Sequence, residues 1–308
     1  MLNFVSLLWY HRYIKIVYRD ITLKFLRGGD KDADYEIAYR DRHIALYIKT
    51  QTMIRRAFMS YFNYYGKNIF YTETGNGEPC IFLHGNTASS KMFKYLLPLY
   101  TDDLKAISID FLGNGKSDRI TKFPDELWID QGHQIVELCR TLNYGKINLI
   151  GTSGGAYAAI NAALETPELF KKVVADSFDG NSLPKDFADG IIRERQFAKS
   201  NEQARGFYEW CQGEDWEYVV DLDTEALVNY ERKQIRIFHA PIETIQLPLL
   251  ITISKQDEML SNNMEEECKH LHELNPQISY RIFEEGTHPL IASRADEVAG
   301  LIKTFLRS

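Results

Sequence analysis

The chain has 308 residues, 44% hydrophobic and 26% charged, enough for one large α/β domain or two smaller ones and ordinary for a globular protein. A net charge of −7 argues against a nucleic-acid partner. Cys80, Cys139, Cys211 and Cys268 are widely scattered, with no C-x-x-C pair and no His and Cys cluster at metal spacing. No metal is expected, and the thiols read as small buried hydrophobes in a reducing, cytoplasmic compartment.

Charge divides the chain. Residues 1–58 hold 11 Lys and Arg against 6 Asp and Glu, a net of +5, so the remainder carries −12. The apolar start, Leu2 to Tyr10, is far short of the roughly 20 residues that span a bilayer. No basic stretch precedes it and no small-residue cleavage site follows, so it does not read as a signal peptide. Three readings stay open for this N-terminal extension: a helix or hairpin docked on the domain, a membrane-surface arm, or a leader upstream of a start at Met59. The last two are favoured together over the first, with membrane contact the lesser expectation. A body beginning at Met59 is expected to fold by itself.

From there strands and helices alternate. Two antiparallel-type strands, 61–65 and 69–73, precede an apolar strand at 80–83. Helix 92–100, strand 105–110 and helix 127–142 follow. The apolar run 147–150 leads through Gly151-Thr152-Ser153-Gly154-Gly155 into an Ala-rich helix, 156–165, which stops at Thr166-Pro167 because the residue before proline disfavours helix. Strand 172–176 opens onto residues 181–243, where the alternation stops and three helices are predicted: 187–199, 202–211 and 224–238. Alternation resumes with strand 248–254, helix 264–274 and strand 278–283. The expected fold is a mostly parallel α/β sheet with helices on both faces, built from 59–180 and 244–308. Residues 181–243 form a helical cap inserted after the sixth strand.

The pentapeptide around Ser153, placed between a strand and a small-residue helix, is the G-x-S-x-G nucleophile-elbow pattern. A serine on so sharp a turn is strained, and bulky residues two positions away would collide across it; Gly151 and Gly155 remove that collision. The following helix aims N–H groups and its positive end at the serine oxygen. The alternative is a Gly-rich turn with a capping serine. A hydrolytic serine needs a base, an orienting acid and oxyanion donors. Asp257 lies just past strand 248–254, and His288 follows strand 278–283 after Gly286. Ser153, Asp257 and His288 thus fall at strand ends on one edge of a parallel sheet, in the order this motif requires.

Other assignments remain for each. Asp257 could be a turn residue or cap the 264–274 helix, and its neighbour Glu258 should point elsewhere. Asp176 and Asp179, past the apolar run Val173-Val174-Ala175, are reserve candidates for the acid. His133, His270 and His272 read as helix-face residues, and His239 falls in the inserted segment. For the oxyanion, the expected donors are the N–H of Gly154 and the backbone N–H of Asn86 in the loop His84-Gly85-Asn86-Thr87. Gly85 permits close approach to the acyl carbon, while His84 should brace the loop backbone. Gly113-Asn114-Gly115 lacks the third glycine and helix opening of a dinucleotide fingerprint and reads as a tight loop bracing the same edge.

Taken together these motifs resemble the α/β-hydrolase fold enzymes. His84-Gly85 matches the family's oxyanion loop, and Asp110-x-x-Gly113-x-Gly115-x-Ser117 its next loop. Ser153 matches the elbow, with Asp257 and His288 completing the set. The resemblance runs from about residue 60 to the end. Family dehalogenases and epoxide hydrolases carry an aspartate at the elbow, so this chain departs from them. Prolyl iminopeptidases typically carry Trp beside the serine, where Gly154 stands here.

The expected activity is hydrolysis of a carboxylic ester of a small-molecule substrate through an acyl-enzyme, with no cofactor. Alternatives on the same residues are an aminopeptidase, an amidase or a C–C bond hydrolase, and a ligand receptor that keeps slow hydrolysis. Glu209, Glu214, Asp215, Glu217, Asp221, Asp223 and Glu225 make the inserted segment acidic. They read as a solvated face, or as carboxylates of which one or two hold a substrate ammonium. Phe207, Tyr208, Trp210 and Trp216 suit either an apolar lining or a helix core. The oligomeric state is not legible in the sequence.

Overall fold

The structure is a computed structural model that describes residues 58–308 apart from Pro184 and Asn262. The readings of the N-terminal extension therefore concern a segment that, but for Phe58, lies outside the described residues. Eight strands are β1 (Phe58–Tyr64), β2 (Lys67–Thr74), β3 (Glu78–Leu83), β4 (Leu104–Ile109), β5 (Ile147–Thr152), β6 (Phe170–Asp176), β7 (Leu249–Ser254) and β8 (Ile278–Phe283). They pair in one sheet in the order β1-β2-β4-β3-β5-β6-β7-β8. The β1–β2 and β2–β4 pairs are antiparallel, and every later pair is parallel.

Helices α1 (Leu127–Leu142), α2 (Gly154–Glu165), α6 (Met264–Leu274) and α8 (Ala295–Arg307) cover the two faces. Helices α3 (Phe187–Ser200), α4 (Glu202–Gln212) and α5 (Trp216–Arg232) lie between β6 and β7, and the short α7 (Leu290–Ser293) precedes α8. Side chains alternate along each strand. Ile81, Leu83, Leu149, Val173 and Ile251 join the cluster that holds α1, α2 and α6. Cys80, Phe82, Ile150, Val174 and Leu250 meet Val298, Ala299 and Ile302 of α8 on the opposite face. Burial on both faces is why the central strands read as continuous apolar runs.

Two expected helices differ. Residues 90–99 form two 3-10 turns, Ser90–Phe93 and Leu97–Leu99, in place of one α-helix. Pro98 has no N–H to give and disfavours helix at Leu97. In the inserted segment α5 begins at Trp216 and stops at Arg232, earlier at both ends than the sequence pattern suggests. Gln234 turns the chain at φ 51°. Asn161 of α2 then grips the returning chain, donating to the Ile237 carbonyl at 3.0 Å and accepting the His239 N–H at 3.2 Å. A tertiary contact therefore sets the end of this helix.

Candidate active site

Ser153 sits between β5 and α2 with φ 53° and ψ −126°, a conformation that costs a non-glycine residue about 1–3 kcal/mol. Backbone bonds on either side hold it there. Its N–H donates to the Asp176 carbonyl at 2.8 Å, and its own carbonyl accepts the Ala156 N–H at 2.9 Å. The hydroxyl makes no capping bond to α2, so the capping-serine alternative lacks the contact it needs. A Cβ at Gly151 would overlap the Gly155 carbonyl, and one at Gly155 would overlap the carbonyls of Leu83 and His84. At Gly85 an added Cβ would stand 3.0 Å from that of Ser153. Small residues here let β3, β5 and α2 close around the serine.

Asp257 follows β7 with its side chain fully buried, and its Oδ1 and Oδ2 lie 3.0 and 3.1 Å from His288 Nδ1. Oδ1 also accepts the Met259 N–H at 3.1 Å. The turn reading and the orienting-acid geometry thus coexist in one residue. Glu258, expected to point elsewhere, turns back instead: its Oε2 accepts the backbone N–H of His288 at 3.3 Å. A tight turn at 257–260, with Leu260 N–H on the Asp257 carbonyl, brings both acids to the same loop.

The reserve acids are engaged elsewhere. Asp176 accepts the hydroxyls of Thr152 and Thr252, each at 2.7 Å, and the Ile291 N–H at 3.0 Å. It ties the ends of β5, β6 and β7 together beneath the site. Burial pushes its carboxyl up to about 6, against the pull of those three bonds. Asp179 accepts the N–H and hydroxyl of Ser261 at 2.7 and 2.6 Å. For His288, burial disfavours the imidazolium, but the facing Asp257 carboxylate outweighs it, with help from Glu258 and Asp176, and lifts the pKa to about 8.

On the other side of the serine, the loop after β3 brings Asn86 against Gly154. A Cβ at Gly154 would overlap Asn86 Oδ1 and lie 3.0 Å from the Asn86 backbone nitrogen. Ser153, Asn86 and His288 are half-buried. His84 is buried; its Nε2 accepts the Phe111 N–H at 3.0 Å, which leaves the proton on Nδ1 to donate to the Gly85 carbonyl at 2.8 Å. Burial lowers its pKa, opposed by the Asp110 charge. Asp110 accepts the N–H groups of Ser90 and Lys116 at 2.6 and 2.8 Å, bracing the Gly113-Asn114-Gly115 loop beside it.

Helices α3–α5 dock on this edge through polar side chains. The last carbonyls of α4, which a helix leaves unpaired, are taken up by the core: Trp210 by Lys91 at 2.6 Å, Cys211 by Ser89 at 3.0 Å, Gln212 by Arg119 at 2.7 Å. The buried Gln212 amide donates to Ala88 O and accepts from Gly115 N–H, both at 2.7 Å. Of the seven acids in this segment, Asp215 pairs with Arg119, Glu209 with Arg205, and Glu217 and Asp221 with Lys199. Such exposed pairs contribute little. Asp223 is the buried one, and both its oxygens are engaged: Oδ2 by Asn86 Nδ2 at 2.7 Å, Oδ1 by Arg195 Nη2 at 3.4 Å. It is not free to hold an ammonium. Tyr208 stacks on Trp216 and packs with Ala198 and Val220, so these aromatics form helix core.

Sequence reasoning named Asp223 only as one of seven acids in the segment, and it missed Gln212 and Trp128, whose indole donates to Asn86 Oδ1 at 3.2 Å. Nothing local marks them, because each acts across a tertiary contact. Among the described residues no group of three or more His, Cys, Asp or Glu could hold a metal ion. No described helix is long and apolar enough to cross a membrane.

A family model of the alpha/beta hydrolase fold matches residues 78–212, the stretch from β3 through the elbow to α4. The chain has the alpha/beta hydrolase fold. The chain resembles the 2-(acetamidomethylene)succinate hydrolase of Mesorhizobium japonicum, 35% identical over 108 residues that cover 34% of this chain and 37% of that one. It also resembles the Karrikin insensitive 2 receptor CA of Petunia hybrida, 25% identical over 51% of this chain and 60% of the receptor. These matches span less than two thirds of either relative. The solved structure of carboxylesterase CesB from Bacillus subtilis superposes with TM-score 0.62 at 17% identity, covering 85% of this chain and 97% of that one. At that identity the likeness speaks for the fold.

Proposed function

We propose that the protein is a serine hydrolase that cleaves a carboxylic ester of a small molecule through an acyl-enzyme. The observation that carries this reading is the pairing of Asp257 with His288 Nδ1 at 3.0 Å, on the same sheet edge as a serine held at φ 53°. With Nδ1–H directed at the carboxylate, Nε2 is the basic nitrogen and takes the Ser153 proton as Oγ attacks the acyl carbon. The N–H groups of Gly154 and Asn86 hold the oxyanion. Nε2 then protonates the leaving alcohol, and a water deprotonated by the same nitrogen releases the acid. Nothing in these steps calls for a cofactor. Residues 181–243 act as a cap over the site, and the four free, buried cysteines suit a reducing, cytoplasmic setting.

A panel of p-nitrophenyl esters of rising acyl length, run beside aminoacyl anilides, tests the reading. Ester turnover well above anilide turnover supports it. Anilide turnover in excess moves it to an amidase, the second reading, which the likeness to a hydrolase of an acetamido-substituted succinate favours. Turnover at single-event rates with tight retention of product identifies a receptor.

The His288 environment sets a pH dependence. Since the base must be neutral, kcat/KM should rise with pH about a midpoint near 8, the value its surroundings give it. Stability should run the other way. A raised imidazole pKa stabilises the fold fully below about 6.5 and loses that contribution as pH climbs through 8. Rate profiles and melting curves across pH 6–9 check both, and an activity midpoint at or below 6.5 contradicts the Asp257–His288 pairing.

A further inference from the structure

The Asn86 side chain is fixed at both ends. Trp128 Nε1–H donates to Oδ1 at 3.2 Å, and Nδ2 donates to Asp223 Oδ2 at 2.7 Å. Asp223 stands on α5, 2% exposed, and its second oxygen faces Arg195 of α3. Arg195 in turn donates to the Tyr208 hydroxyl at 2.9 Å and pairs with Glu194 at 2.9 Å. A buried carboxylate is costly to keep, and burial pushes the Asp223 pKa up against the pull of Arg195 and Asn86. Its charge-assisted bond reaches Asn86, whose backbone nitrogen lies beside Gly154 next to the serine. Thr87, next in the chain, sits at φ 58°, so the loop is not a relaxed turn that would hold its shape unaided.

On the reading of Ser153 as nucleophile, we infer that Asp223 is a positioning residue for the oxyanion site: by clamping the Asn86 amide it orients the Asn86 backbone N–H. Asp223 contacts no reacting atom. It makes the oxyanion donor depend on how the inserted helices are seated, because any shift of α5 withdraws the carboxylate from Asn86. The third helix of the insertion therefore takes part in transition-state stabilisation while standing outside the chemistry. Substrate binding in the ground state, which does not need a fully formed oxyanion site, is left largely alone.

The test measures kcat and KM for p-nitrophenyl acetate, and inhibition by phenylboronic acid, whose tetrahedral adduct fills the oxyanion site. The proteins are the native chain, Asp223→Asn, Asn86→Ala and the double variant. Asp223→Asn should lower kcat about 10- to 100-fold and weaken the boronate by a similar factor, with KM within about twofold. In the Asn86→Ala background the same change should cost less than about twofold, since the link it acts through is gone. Should Asp223→Asn fail to fold, Asn86→Ala alone must show the same kcat and boronate losses. Unchanged kcat, a loss confined to KM, or additive effects in the double variant overturn the positioning role while leaving the hydrolase reading intact. A native chain that turns over no ester and takes no covalent label at Ser153 removes both.

Discussion

Ser153→Ala is expected to abolish labelling by a fluorophosphonate probe and to cut ester turnover by at least about a thousandfold. On the proposed reading the hydroxyl is the group that bonds to acyl carbon or phosphorus, and Ser153 stands at the turn after β5, on the sheet edge that carries the Asp257–His288 pair. Ser153→Gly should be equally inactive but more stable. Glycine occupies φ 53° without strain and recovers part of the roughly 1–3 kcal/mol that serine stores there. Mass spectrometry of the labelled protein and a melting curve check the two halves. Labelling that persists in Ser153→Ala places the nucleophile elsewhere, and a Ser153→Gly variant that melts lower shows the turn is not under strain.

Asp257→Asn comes next in size, a fall in kcat of about ten-thousandfold with the fold kept. The amide preserves the shape, and Oδ1 can still accept the Met259 N–H, but it no longer favours the tautomer with its proton on Nδ1. The loss of charge has a second reading. Burial alone pushes the His288 pKa down, so without the anion the residual activity should show its midpoint well below 8. Asp176→Asn disturbs the support under β5, β6 and β7 and should lower the melting temperature. If Asp257→Asn stays active while Asp179→Asn or Asp176→Asn does not, the orienting acid belongs to the end of β6 or the loop after it.

Much of this arrangement was legible in one chain because it depends on local chemistry. A sharp turn wants glycines at 151 and 155, a strand buried on both faces reads as an unbroken apolar run, and Pro167 stops a helix at Glu165. What was not legible depends on register and on distance in sequence. Thr152, Asp176 and Thr252 form one cluster only because β5, β6 and β7 pair with Thr152 beside Asp176 and Asp176 beside Thr252. The end of α5 was misplaced because Asn161, far upstream, captures the returning chain. The final helix α8 carried an ordinary amphipathic pattern in Val298, Ala299, Ile302 and Leu306.

The contact between Asn86 and Gly154 bears on how such a site diverges. The asparagine amide fills the space into which a side chain at 154 would grow, so the two positions share one allotment of volume. Random change at 154 alone should return glycine and little else, giving the impression of an invariant site. Paired change, a smaller residue at 86 with a larger one at 154, opens neighbouring sequences that neither single step can reach. For directed evolution this makes 86 and 154 a single compound letter, to be varied together or not at all.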